Sequence, residues 1–150
     1  MANTVEKQIE IAAPVLKVWD ALTDYEKFGA WFRVKLEGPF VAGEVSQGHI
    51  TWPGCEHLKW VATVKEIVPE KLFSFTWHPY AVDPGKDYSQ ETPTLVEFRL
   101  EATATGTRVT VKESGFDKVP EARRAEAYRM NDGGWTQQVK NLEEYVLGTK

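Results

Sequence analysis

Cysteine is almost missing from this chain. Cys55 is the single one, so no intrachain disulfide can form and the fold must be held by its own core. A reducing compartment suits that usage. Long apolar runs are missing too: no stretch approaches the roughly 20 residues that span a bilayer. The opening residues, MANTVEKQIEIAAP, lack a basic segment followed by an apolar one, so no signal peptide is expected. The expectation is a cytoplasmic protein with no membrane insertion. There is no basic run able to track phosphates, and net charge is −4, so nucleic acid is not an expected partner. Arg123, Arg124 and Arg129 alternate with Glu121 and Glu126, which reads as a solvated helix face.

Motifs that carry familiar chemistry are equally scarce. No G-x-S-x-G, phosphate loop or dinucleotide fingerprint occurs, and Gly43, Gly48 and Gly54 fall in turns or strands. A structural zinc site normally needs four Cys or His ligands, whereas this chain offers Cys55 and three histidines, His49, His57 and His78. No metal or other cofactor is expected. Cys55-Glu56-His57 follows Pro53-Gly54 and reads as an exposed turn, not an organised nucleophile.

What the chain does have is aromatic weight. Its 150 residues, 42% hydrophobic and 27% charged, suit one globular domain over 1–150, and 12% are aromatic with six Trp. So many rings imply a thick core or a lined cavity.

Alternation with period two predicts a series of strands. Thr4 to Ile11 places Val5, Lys7, Ile9 and Ile11 on one face. Short strands are expected at Phe32 to Leu36 and Val41 to Trp52, then a strong one at Leu58 to Val68. Pro69-Glu70-Lys71 turns the chain into Leu72 to Trp77. Thr94 to Thr103 and Thr107 to Ser114 form a hairpin around Gly106, with Val96, Phe98 and Leu100 opposing Val109 and Val111. Such close spacing requires antiparallel pairs. Pro79 to Pro93, about fifteen residues, is a long polar loop, and Asp83, Asp87 and Glu91 in it would lie near a pocket mouth.

Helical spacing appears in three places. Val15, Val18, Trp19 and Leu22 follow Pro14, which suits a first helical turn. A second short helix, Tyr25 to Trp31, would start from an Asp24 cap. From Glu121 to Leu147, Trp135, Val139, Leu142 and Val146 fall on one stripe. Gly133-Gly134 predicts an interruption there, with a kink or a close approach.

Strands followed by a helix indicate an α+β fold. One helix about 10 Å wide cannot fill the concavity of a twisted sheet. Rings must fill the gap or line what stays open. The expected lining is Trp31, Trp60, Phe75, Trp77, Phe98, Trp135 and Val139, with Tyr128, His49 and Thr51 as polar groups.

Several segments also resemble a known family. They are Pro14 with Val18-Trp19-Asp20-Ala21-Leu22-Thr23, Trp31-Phe32, Pro69-Glu70-Lys71-Leu72 leading to Phe75-Thr76-Trp77, and Thr94-Leu95-Val96-Glu97-Phe98. Gly106-Thr107-Arg108-Val109-Thr110, Glu113-Ser114-Gly115-Phe116 and Gly134-Trp135 complete the set. Together they resemble the START-like helix-grip (SRPBCC) superfamily, related to the birch pollen allergen and the polyketide cyclases. Within it the chain is most similar to bacterial homologues of the activator of heat-shock protein 90 ATPase. That resemblance implies a curved antiparallel sheet of six or seven strands, two short helices and a long C-terminal helix enclosing a cavity. Where such relatives usually pair two glycines before the second long strand, this chain has Ala42-Gly43. The eukaryotic activators carry a further N-terminal chaperone-binding domain, for which these residues leave no room.

Three functions fit these expectations. The leading one is binding of a small apolar or amphipathic molecule without catalysis. The second is a co-chaperone-like interaction domain with a chaperone as partner. The third is a cyclase or hydrolase whose acid or base would be His49 or Tyr128.

Overall fold

The period-two segments pair as their alternation requires. In the computed structural model, which describes residues 3–81 and 85–148, β1 (Thr4–Ile11) buries Val5 and Ile11 and exposes Glu6, Gln8 and Glu10. Then follow α1 (Val15–Thr23), α2 (Tyr25–Phe32), β2 (Val34–Leu36), β3 (Val45–Ile50), β4 (Lys59–Val68), β5 (Leu72–Trp77), β6 (Thr94–Thr103), β7 (Gly106–Ser114) and α3 (Glu121–Leu147). A 3-10 turn at Phe116–Lys118 joins β7 to α3. All pairs are antiparallel, and the seven strands run in the order β1-β7-β6-β5-β4-β3-β2. The α1–α2 connection therefore crosses from one edge of the sheet to the other. In the predicted hairpin, Phe98 faces Val111 and Leu100 faces Val109.

Caps define the short helices. Pro14 sits just before α1, in extended conformation with φ −65° and ψ 153°, one position earlier than a first helical turn. The Asp24 side chain accepts from the backbone N–H of Glu26 and Lys27, as its cap role predicts. Phe32, expected to open a strand, instead closes α2. Its ring stacks on Phe28 one turn earlier, at 4.9 Å between centroids, and Arg33 ends the helix in the left-handed region at φ 71°. The expected Val41 to Trp52 strand is shorter, since Gly43 at φ 87° turns the chain before Val45.

The α3 helix covers the sheet with its Trp135, Val139, Leu142 and Val146 stripe buried. At 27 residues it is about 40 Å long. Gly133 and Gly134 do not interrupt it, and nothing approaches within 4 Å of the place a Cβ would occupy at either. The expected break and close approach are both absent at these two residues.

The space between helix and sheet is filled mainly by rings. Phe28 contacts Trp31, Phe32, Phe40 and Trp60 at centroid distances of 4.9 to 5.6 Å, and Phe73, Phe75 and Phe98 continue the network. Phe28, Phe73, Phe75 and Phe98 are all at most 1% exposed. The broad hollow expected from element order is therefore largely occupied by interlocking aromatics.

Candidate functional site: a cleft over a buried glutamate

One glutamate organises the polar side of this core. The alternation that buries Thr107, Val109 and Val111 in β7 also places Glu113 inward, where it is fully buried. Burying a carboxyl group is expensive unless its oxygens are hydrogen-bonded. Four donors converge on it. The Trp135 Nε1–H and the Asn131 amide donate to Oε1, each at 2.8 Å. The Trp77 Nε1–H and the Thr94 hydroxyl donate to Oε2, at 2.7 and 2.5 Å. Four donors on two oxygens complement an ionised carboxylate, which only accepts. Among the described residues no Lys or Arg forms an ion pair with it.

Above this cluster lies a small open cleft of about 100 Å³, lined by Phe32, Trp77, Asn131, Gly134, Trp135 and Gln138. Four of these residues fall at i, i+3, i+4 and i+7 along α3. Phe32 comes from the end of α2 and Trp77 from the end of β5. The Gln138 amide donates to the Phe32 carbonyl at 3.1 Å, which fixes α2 against α3 at the rim. Because Gly134 carries no side chain, space remains between the two helices and Trp77.

Only part of the expected lining gathers there. Trp77 and Trp135 line the cleft, and Val139 is buried one turn further along α3. Trp31 and Trp60 are core residues whose indole N–H groups donate to Ala21 O at 2.9 Å and Ser46 Oγ at 3.0 Å. Phe75 and Phe98 lie deep in the ring network. Tyr128 is half-buried away from the cleft lining; its hydroxyl donates to Thr4 O at 3.0 Å and its ring packs on Phe116.

His49 and Thr51 are corrections, since both are exposed. Gly48 holds the inward register opposite Trp60, which turns its neighbour His49 to the outer face. An added Cβ at Gly48 would collide with the Lys35 carbonyl, so the glycine is what lets β2 and β3 approach. Thr51 lies just past the end of β3. The acid–base roles considered for His49 and Tyr128 therefore find no support at the cleft.

Elsewhere the candidates disperse. Asp83 lies outside the described residues. Asp87 accepts from the Ser89 backbone N–H. Glu91 pairs with Arg123 of α3 at 2.5 Å, and Arg123 also donates to the Pro79 and Tyr80 carbonyls, so the long loop is clamped to the helix. Hydrogen bonding by Arg123 holds the Glu91 carboxyl below its ordinary value, with Lys86 adding to the effect. Among the described residues no group of three Cys, His, Asp or Glu is placed to hold a metal.

Phe32, Glu113, Asn131, Gly134 and Gln138 were missed as site residues. The signal was present: Glu113 sits at an inward position of an alternating strand. Residues 131, 134 and 138 place polar or missing side chains along the Trp135 stripe.

The comparisons agree with this architecture. Residues 12–147 match the family model described as Activator of Hsp90 ATPase homolog 1-like protein. The chain belongs to that family. A crystal structure of a protein from Mesorhizobium loti superposes with a TM-score of 0.76 at 30% identity, covering 98% of each chain. A solution structure from Arthrobacter aurescens gives 0.78 at 16% identity over 98% of this chain and 87% of that one. The Aha1 dimer from Colwellia psychrerythraea gives 0.70 at 18% identity, covering 97% and 96%. The last two are likenesses of fold. No curated protein matches the chain. Among the described residues no helix is long and apolar enough to cross a membrane.

Proposed function

We propose that this protein binds a small amphipathic molecule in the cleft between α2, β5 and α3, with no chemistry performed on it. The observation that carries the reading is the combination of three aromatic walls, an uncrowded glycine on α3 and a buried, fully hydrogen-bonded carboxylate beneath. Drug-sized pockets are about 300–1,000 Å³, whereas a dry engineered cavity of about 150 Å³ takes a benzene ring. At about 100 Å³ the cleft is smaller than either but open to solvent, so it would hold part of a ring or one small branched head group, with the remainder of a longer molecule outside. Mass spectrometry under native conditions, on protein purified from its own host, is the direct test. A retained mass released by denaturation is expected. Protein that carries no adduct, and whose cleft stays empty after incubation with host extract, would defeat the reading.

A second reading, contact with a chaperone, draws on the family description. It also draws on apolar side chains left exposed on the outer sheet face, Val45 of β3 and Val61 of β4. Stimulation of a heat-shock protein 90 homologue's ATPase, lost in Val45→Asp with Val61→Asp, would support it. An unchanged ATPase rate would remove it.

A further inference from the structure

The cleft has a strong asymmetry of charge. Phe32, Trp77 and Trp135 form a triangle of rings, with centroids 5.8 Å apart for the Trp pair and 6.1 and 6.2 Å from Phe32 to Trp135 and Trp77. Both indole N–H groups point their hydrogens at Glu113. They are spent there and cannot serve an incoming anion. Donation to a carboxylate also pushes electron density into each indole, making the ring face more negative and more attractive to a positive charge.

Other lining groups have the same sense. Asn131 uses its amide nitrogen on Glu113, while its side-chain oxygen accepts no hydrogen bond among the described residues. No Lys or Arg lines the cleft. Lys7, which reaches α3 from β1, is paired with Asp132 at 2.9 Å. A carboxylate or phosphate ligand would meet aromatic rings with no Lys or Arg among the lining residues to neutralise it.

We infer that the cleft takes a small organic cation, of the ammonium or quaternary ammonium type, seated against Phe32, Trp77 and Trp135 with Glu113 as the buried counter-charge. This inference rests on the cleft being a ligand site and names the chemical class it selects. A cation within about 6 Å of ring centroids is held by their quadrupoles, most strongly at Trp and where water is excluded. Glu113 stays behind the rings, so it acts through its field and not through direct contact.

The test pairs choline with 3,3-dimethyl-1-butanol, which has the same shape and hydroxyl but carbon in place of the charged nitrogen. Each is titrated into the ¹⁵N-labelled protein while the indole N–H resonances are followed. Choline is expected to shift the Trp77 and Trp135 signals with a Kd at least tenfold below that of the alcohol. In Glu113→Gln that ratio should fall towards one. If the alcohol binds wild-type protein as well as choline does, the cation inference is overturned and the cleft reading stands. If neither probe moves the two indole signals, both are overturned. The wild-type comparison needs no variant to fold.

Discussion

Glu113 shows how much can depend on one side chain. Hydrogen bonds to a charged group contribute about 1.5–3 kcal/mol each, and a donor left unpaired in the interior costs about 1–3 kcal/mol. Glutamine at this position would turn an NH₂ group towards existing donors, so two of the four bonds become repulsive contacts. Glu113→Gln should lower stability by about 2–4 kcal/mol in urea unfolding. It should also change tryptophan fluorescence, since Trp77 and Trp135 lose their common anchor. A variant as stable as wild type would mean the carboxylate is not buried as described.

Glu91 permits a prediction about acid. Its folded value lies below the ordinary one, chiefly through the Arg123 hydrogen bond. A lowered carboxyl stabilises the fold above its unfolded value, and that contribution is lost as pH falls through the lowered folded value. Both side chains are largely buried, 13% exposed for Arg123 and 10% for Glu91. Arg123→Ala should cost about 1–3 kcal/mol at neutral pH. The loss should shrink as acid neutralises Glu91, which a series of thermal melts between pH 7 and pH 3 would follow. An equal loss at all pH values would contradict the clamp.

Among the elements, α3 separates stability from binding. An interior helical Gly costs about 1 kcal/mol relative to Ala, and neither Gly133 nor Gly134 has a neighbour that a methyl group would strike. Gly133→Ala and Gly134→Ala should therefore each raise stability by up to about 1 kcal/mol in thermal unfolding. Only Gly134→Ala narrows the cleft, so ligand affinity should fall in that variant and not in the other. Loss of stability in either would show a close contact that the geometry does not contain.

Element by element, the sequence was most informative where period and turn chemistry act locally. The β6–β7 register, the Asp24 cap and the buried α3 stripe follow from alternation, a side-chain acceptor and i, i+4 spacing. The double glycine was misread because a helix tolerates Gly when packing holds both flanks, and here Ala127, Trp135 and Val139 are buried on either side. His49 was misplaced because Val45, the apolar side chain that shares its face, lies on the outer side of β3, while Ser46 and Gly48 hold the inward positions.

For the molecule as a whole, the family and the helix-over-sheet order were legible, but the size of the enclosed space was not. Whether a ring fills a gap or lines it depends on rotamers and mutual packing, which no pattern of hydrophobic letters records. Phe28 illustrates this: it contacts five other rings and fills the middle of the bowl, while a cleft stays open beside Gly134.

The central claim, a small-molecule site between α2, β5 and α3, is tested most directly by titrating single-ring and branched-amine fragments into labelled protein. Wild type and Gly134→Leu would be compared by their six indole N–H signals. The expected result is that binders shift the Trp77 and Trp135 signals in wild type and leave them unmoved in Gly134→Leu. Equal shifts in both proteins, or binders that perturb only other parts of the chain, would contradict it.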